Sequence, residues 1–171
     1  MNTTKVGQGM FAVALILGIA MLTMYFGGVE KRRYNPNQNP ESVTTEGFVE
    51  VHLRQNRQGH YVMNGTINDN PVVFLLDTGA TDVVIPEALA QQLNLKRGRP
   101  GKAMTANGPV TIFDTTIREL TIGDISLYDV DASINPGMRP PAILLGMSAL
   151  KQIEFIQTGK SLVLKQKGPR L

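Results

Sequence analysis

One aspartate, Asp77, stands where a carboxylate can do acid–base work. It ends the apolar run Val72-Val73-Phe74-Leu75-Leu76 and opens the segment Thr78-Gly79-Ala80-Thr81. A buried strand that delivers an acid into a tight loop holds that acid rigidly at the base of a cleft. Thr78 offers a hydroxyl able to brace the loop or a partner loop, and Gly79 lets backbone and substrate approach the acid with no Cβ in the way. The chain then leaves along a second apolar stretch, Val83-Val84-Ile85-Pro86. Asp, Thr and Gly are also ordinary turn formers, so the tripeptide alone fits a solvated loop equally well. Its context separates the two readings: apolar strands lie on both sides, and Ile143-Leu144-Leu145-Gly146 comes later, followed by a short helical pattern.

Other chemistries find little support. The chain of 171 residues has no cysteine, which removes thiol nucleophiles, disulfides and Cys-ligated zinc. Its two histidines, His52 and His60, flank an expected hairpin turn with no second metal-type ligand at regular spacing, and no serine stands in a nucleophile-elbow context. No metal and no cofactor are expected. Asp69, Asp82, Asp114, Asp124, Asp129 and Asp131 lack a following Thr-Gly and read as turn or exposed-strand residues in solvent. The formal charge is a mild +3, with basic residues scattered rather than interleaved with aromatics, so no nucleic-acid surface is expected. Lys96, Arg97, Arg99 and Lys102 read as a solvated loop, and Gly98-Arg99-Pro100-Gly101-Lys102 lacks the length and the hydroxyl residue of a phosphate loop. The eight methionines read as packing material.

The elements that must position Asp77 are mostly strands. Val49, Val51 and Leu53 alternate with Glu50, His52 and Arg54; residues 55–59 turn the chain, 61–67 return it, and Asn68-Asp69-Asn70-Pro71 turns it into the strand that ends at Asp77. Ala88, Leu89, Ala90 and Leu93 after Pro86 predict a short helix closing near Asn94. Asn107-Gly108 between strand-like flanks predicts a hairpin tip. Strands are expected over 115–122, 126–134 and 142–145, a short helix over 147–151, and a last hairpin about Thr158-Gly159 in which Leu162 and Leu164 alternate. No internal repeat is visible.

Before this β domain the chain is organised differently. Residues 1–8 form a short tail, and 9–29 are free of charge and apolar on every helical face, which is long enough to span a bilayer and longer than the apolar core of a signal peptide. Residues 30–47, rich in Asn, Pro, Ser and Thr, read as a flexible linker, with the folded domain over 48–167. Lys5 on one side of the span and Lys31, Arg32 and Arg33 on the other, offset by Glu30, lean toward a cytoplasmic domain by charge count.

Taken together, the Asp77-Thr78-Gly79-Ala80-Thr81 segment, its apolar flanks and the later Leu144-Leu145-Gly146 resemble the retropepsin-like aspartic peptidases, in particular their bacterial membrane-anchored members, over about residues 48–165. The resemblance implies a small, closed, barrel-like β domain with a flap hairpin and one or two short helices behind an N-terminal transmembrane helix. It makes Asp77 the catalytic aspartate and Thr78, Gly79, Ala80 and Thr81 its loop. Leu144, Leu145 and Gly146 become the supporting element, and Thr105, Ala106, Asn107 and Gly108 the flap. Such peptidases use two carboxylates that share a water, one of them protonated. With one motif in this chain, the second acid is Asp77 of another copy, so a homodimer acting on polypeptide substrates is implied. The alternative is a non-catalytic module of the same fold that dimerises or binds an extended peptide. The bacterial relatives imply a single-pass protein of the inner membrane with a periplasmic domain, against the charge count. Two departures are visible: the flap is short and polar, and Pro140-Pro141 precede the supporting element.

Overall fold

The computed structural model describes residues 3–45, 47–105 and 108–168, and within the first helix the side chains from residue 8 onward. It divides into two compact units, one ending at Tyr34 and one beginning at Asn35.

The first unit is a single helix, α1 (Thr3–Tyr34). Its apolar side chains, Phe11, Leu15, Ile16 and Met21 among them, are exposed, so the helix has no stripe to bury against a core. Residues Gln8–Tyr34 are long and apolar enough to cross a membrane. The helix contains the expected span and continues past it, with Lys31, Arg32 and Arg33 in the last turn, where cations complement the helix dipole.

The second unit is mostly β. Its strands are β1 (Glu41–Thr45), β2 (Phe48–Arg54), β3 (Val62–Ile67), β4 (Asn70–Leu76), β5 (Val83–Pro86), β6 (Pro100–Thr105), β7 (Gly108–Ile122), β8 (Ile125–Asn135), β9 (Ala142–Leu145), β10 (Glu154–Thr158) and β11 (Ser161–Lys167). Two short helices interrupt them, α2 (Glu87–Gln92) and α3 (Met147–Leu150). Four strands form one sheet in the order β1-β2-β11-β10, and seven form the other in the order β3-β4-β9-β5-β8-β7-β6. An added pairing of β3 with β7, through Thr66 with Thr121 and Ile67 with Leu120, curls the larger sheet toward closure. Gly65 permits that approach, since a methyl group there would collide with the Thr121 carbonyl oxygen and stand 2.7 Å from the Phe74 ring.

Alternation drives these choices. In β2, Val51 and Leu53 are buried while His52 and Arg54 are exposed. Phe74, Ile85, Ile117, Leu127, Ile134 and Ile143 are fully buried from five different strands of the larger sheet, and Leu162 and Leu164 join the same core from the smaller one. Each such burial contributes roughly 1.5–3 kcal/mol.

The linker expected over 30–47 is not one. Residues 30–34 are helical, Asn35 and Asn37 are buried, and β1 pairs in antiparallel register with β2 from Glu41 opposite His52 to Thr45 opposite Phe48. A segment poor in apolar residues stays ordered here because amide side chains and ladder bonds replace hydrophobic burial. Asn37 Nδ2 donates to the carbonyls of Arg54 (2.9 Å) and Val62 (2.7 Å), and its Oδ1 accepts from the Arg54 N–H (2.7 Å). Asn35 Nδ2 donates to Asn64 Oδ1, and Asn64 Nδ2 to the Gln38 carbonyl. The loop expected to run to Lys102 also ends early, as β6 begins at Pro100 and pairs with β7.

Candidate active site

Asp77 follows β4 directly. Its N–H donates to the Leu145 carbonyl (3.1 Å), the Gly79 N–H donates to Asp77 Oδ1 (2.9 Å), and the Ala80 N–H closes a turn on the Asp77 carbonyl (3.2 Å). The carboxylate is therefore oriented by its own loop: a charge-assisted bond fixes one oxygen. Asp77 is half-buried, and Thr78 and Gly79 are exposed beside it.

The loop rests on β9 and the turn into α3. β9 lies between β4, to which it runs parallel with Leu75 opposite Leu144 and Leu76 opposite Leu145, and β5, to which it runs antiparallel with Val84 opposite Leu144. The next residues hold the far arm of the loop, with the Met147 N–H donating to the Ala80 carbonyl (2.8 Å) and the Ser148 N–H to the Thr81 carbonyl (2.9 Å). Gly146 is buried at the crossing. A methyl group there would collide with the Asp82 carbonyl and stand 2.8 Å from the Ala80 carbonyl oxygen, so only glycine fits. The structure thus brings Asp77, Thr78, Gly79, Ala80 and Thr81 onto Leu144, Leu145 and Gly146.

Of the four residues expected to form a flap, Thr105 and Gly108 lie elsewhere, on the β6–β7 pair at the edge of the seven-stranded sheet. Thr105 pairs with Gly108, and Thr105 Oγ1 donates to the Gly108 carbonyl (2.8 Å), while Ala106 and Asn107 lie outside the described residues. Gly108 has φ +102°, a conformation that favours glycine. Beside it, Met104 is 82% exposed.

Two features lay beyond the sequence reading. Ser148 adds a side-chain clamp: its Oγ accepts from the Val83 N–H (3.0 Å) and donates to the Asp131 carbonyl (2.6 Å). Its signal was a hydroxyl two residues after Gly146, at the start of a short helix. Asp82, expected in solvent, is half-buried, and burial pushes its carboxyl above the usual range, reinforced by the charges of Asp131 and Asp114 and opposed by Lys151. These three acids share an open cavity of about 1130 Å³ with Lys96, Arg99 and Arg118. The β7–β8 hairpin is local, but nothing in a single sequence places β5 beside β8, which is what brings Asp82 to Asp114 and Asp131. Among the described residues no group of three or more His, Asp or Glu side chains is placed to hold a metal ion.

The sequence model of the family described as "gag-polyprotein putative aspartyl protease" matches residues 63–152, more than half of the chain and the whole of the Asp77 assembly. The chain belongs to the retropepsin-like aspartic peptidase family. A crystal structure of a retropepsin-like aspartic protease from Rickettsia conorii is similar in fold and sequence, with a TM-score of 0.60 and 28% identity, over 74% of this chain and 96% of that one. Two curated relatives are themselves uncharacterized proteins. One, from a Sinorhizobium species and encoded in the cobV 5′ region, is 25% identical over 90% of this chain and 71% of its own length. The other, from Rickettsia prowazekii (strain Madrid E), is 25% identical over 67% of this chain, which spans half of that protein's length. The architecture of this retropepsin-like chain accords with its family: mostly β, with the Asp77-Thr78-Gly79 segment on a loop between two strands.

Proposed function

We propose that this chain is a membrane-anchored aspartic endopeptidase whose active site forms from Asp77 of two copies. The observation that carries the reading is the seating of Asp77: a family-type Asp-Thr-Gly loop fixed on both arms by the backbone of residues 145–148, with one carboxylate oxygen held by the Gly79 N–H. Two such carboxylates facing one another share a proton, because close like charges do not both ionise. The ionised one takes a proton from a water lying between them as the water oxygen attacks the scissile carbonyl carbon. The protonated one donates to the carbonyl oxygen, and collapse of the tetrahedral species breaks the C–N bond as the departing nitrogen takes up a proton. No cofactor is needed. Thr78 braces the paired loops, Thr81 continues the loop wall, and the hairpin of Thr105, Ala106, Asn107 and Gly108 covers the bound polypeptide. The folded domain runs from Asn35 to about residue 167.

The apolar helix Gln8–Tyr34 supports a single-pass anchor. Resemblance to bacterial anchored members favours the inner membrane with the domain in the periplasm. The deciding experiment uses the full chain in detergent with quenched-fluorescent casein as probe, with and without a transition-state-mimicking aspartic-peptidase inhibitor. Asp77→Asn is expected to lower kcat by at least about a thousandfold. Equal cleavage by the variant sinks the mechanism, and no cleavage by either chain favours a binding module.

A further inference from the structure

Among the described residues, the contacts that the turn after β9 makes with the segment carrying Asp77 differ in kind. The bonds from Asp77 N–H to Leu145, from Met147 N–H to Ala80 and from Ser148 N–H to Thr81 are backbone to backbone, as is the packing of Gly146 on the Asp82 carbonyl. Substitutions that keep the backbone path leave such bonds in place. The other two contacts belong to the Ser148 hydroxyl, which holds Val83 and Asp131 at once.

We infer that Ser148 is a positioning residue for Asp77, its hydroxyl fixing the outgoing arm of the Asp77 loop to β8; this rests on the peptidase reading above. Three observations converge. The backbone and side chain of Ser148 grip residues 81 and 83 on either side of Asp82, so that stretch cannot shift without breaking both. Val83 is fully buried, so its N–H has no water to turn to if the hydroxyl is lost. The Asp131 carbonyl, the third party, lies on β8, which pairs in parallel with β5 from Val83 opposite Ala132 onward. The hydroxyl therefore completes the hydrogen bonding where the β5–β8 ladder begins, and that ladder is the base on which the loop's far arm stands. A small displacement of a reacting group costs orders of magnitude in rate while leaving substrate affinity nearly intact.

The test compares Ser148→Ala with Ser148→Thr, which keeps the hydroxyl, in the full chain with quenched-fluorescent casein over a range of concentrations and pH. Ser148→Ala is expected to lower kcat by roughly ten- to a hundredfold, with KM within about twofold and a displaced acid limb of the pH profile, and Ser148→Thr to restore both. Wild-type kcat in folded Ser148→Ala, or a folded Ser148→Thr as poor as the alanine variant, overturns the assignment. Amide hydrogen exchange over residues 77–83 gives a readout that needs no activity: faster exchange at Val83 in the alanine variant alone supports the clamp, and unchanged exchange overturns it. If the wild type itself fails to cleave, the peptidase reading falls, while the exchange result still decides the clamp.

Discussion

At the scale of single residues, Asp82 shows how a turn-like position acquires a charge environment. Its carboxyl is held above the ordinary range by burial first and by Asp131 and Asp114 second, with Lys151 opposing. Folding therefore favours the protonated form. Below the unfolded value near 3.8 both states carry the proton, so the native state bears no penalty. As pH rises from there through the raised folded value, the native state loses stability, and above that value the loss is complete. Asp82→Asn is expected to flatten this window and make the protein more stable at neutral pH, read as urea midpoints by circular dichroism from pH 3.5 to 7.5. Unchanged pH dependence in the variant would show that Asp82 ionises as freely in the fold as outside it. The Asp77-Thr78-Gly79 turn was legible in the sequence because its residue types are tied to a local demand, whereas Gly146 stood out only through the family resemblance, its need for glycine coming from the distant Asp82 carbonyl. Asp82 was not legible, because desolvation by distant strands leaves no mark on its neighbours in the chain.

At the scale of elements, the hydrophobic pattern placed β2, β4, β5, β8 and β9 and both short helices, since apolar alternation and the residues around Pro86 and Gly146 are local signals. It failed for residues 35–45, where order comes from amides. Asn37 is 5% exposed and makes three side-chain bonds to β2 and β3, satisfying backbone groups that its loss would strand. Asn37→Ala is expected to destabilise the second unit by about 2–4 kcal/mol, measured by urea unfolding, and to open residues 35–45 to thermolysin. If the alanine variant keeps both its midpoint and its resistance, the amide network is dispensable.

At the scale of the whole molecule, the proposed chemistry asks for a second copy, and the sheet edges differ in their readiness to receive one. β6 starts at Pro100 and carries Lys102, and β1 starts at Glu41 with the Ser42 hydroxyl occupied by the Asp124 N–H; such features blunt an edge. β10 has neither Pro nor Lys and exposes Phe155 (39%) and Ile156 (56%). It also follows α3, whose first residues hold the Asp77 loop. Antiparallel pairing of β10 with its mate about Ile156 sets Glu154 opposite Thr158, so no like charges face each other. Because the chain has no cysteine, Ile156→Cys can form a disulfide only between copies. Mild oxidation is expected to yield an active covalent dimer, while Val43→Cys on β1 stays single. The reverse pattern would move the interface to β1, and sedimentation of an active single chain would remove the dimer altogether.

The sequence alone determined that the chain has an apolar helix before a mostly β domain and that Asp77 is its distinctive acid, because hydrophobic period, turn chemistry and the Asp-Thr-Gly context act over a few neighbouring residues. The tertiary structure decided that residues 35–45 belong to the fold, that Ser148 grips the loop, and that Asp82, Asp114 and Asp131 share a cavity. Each of these depends on strands distant in sequence becoming neighbours, and a hydrogen bond or a desolvated charge exists only once that pairing has formed.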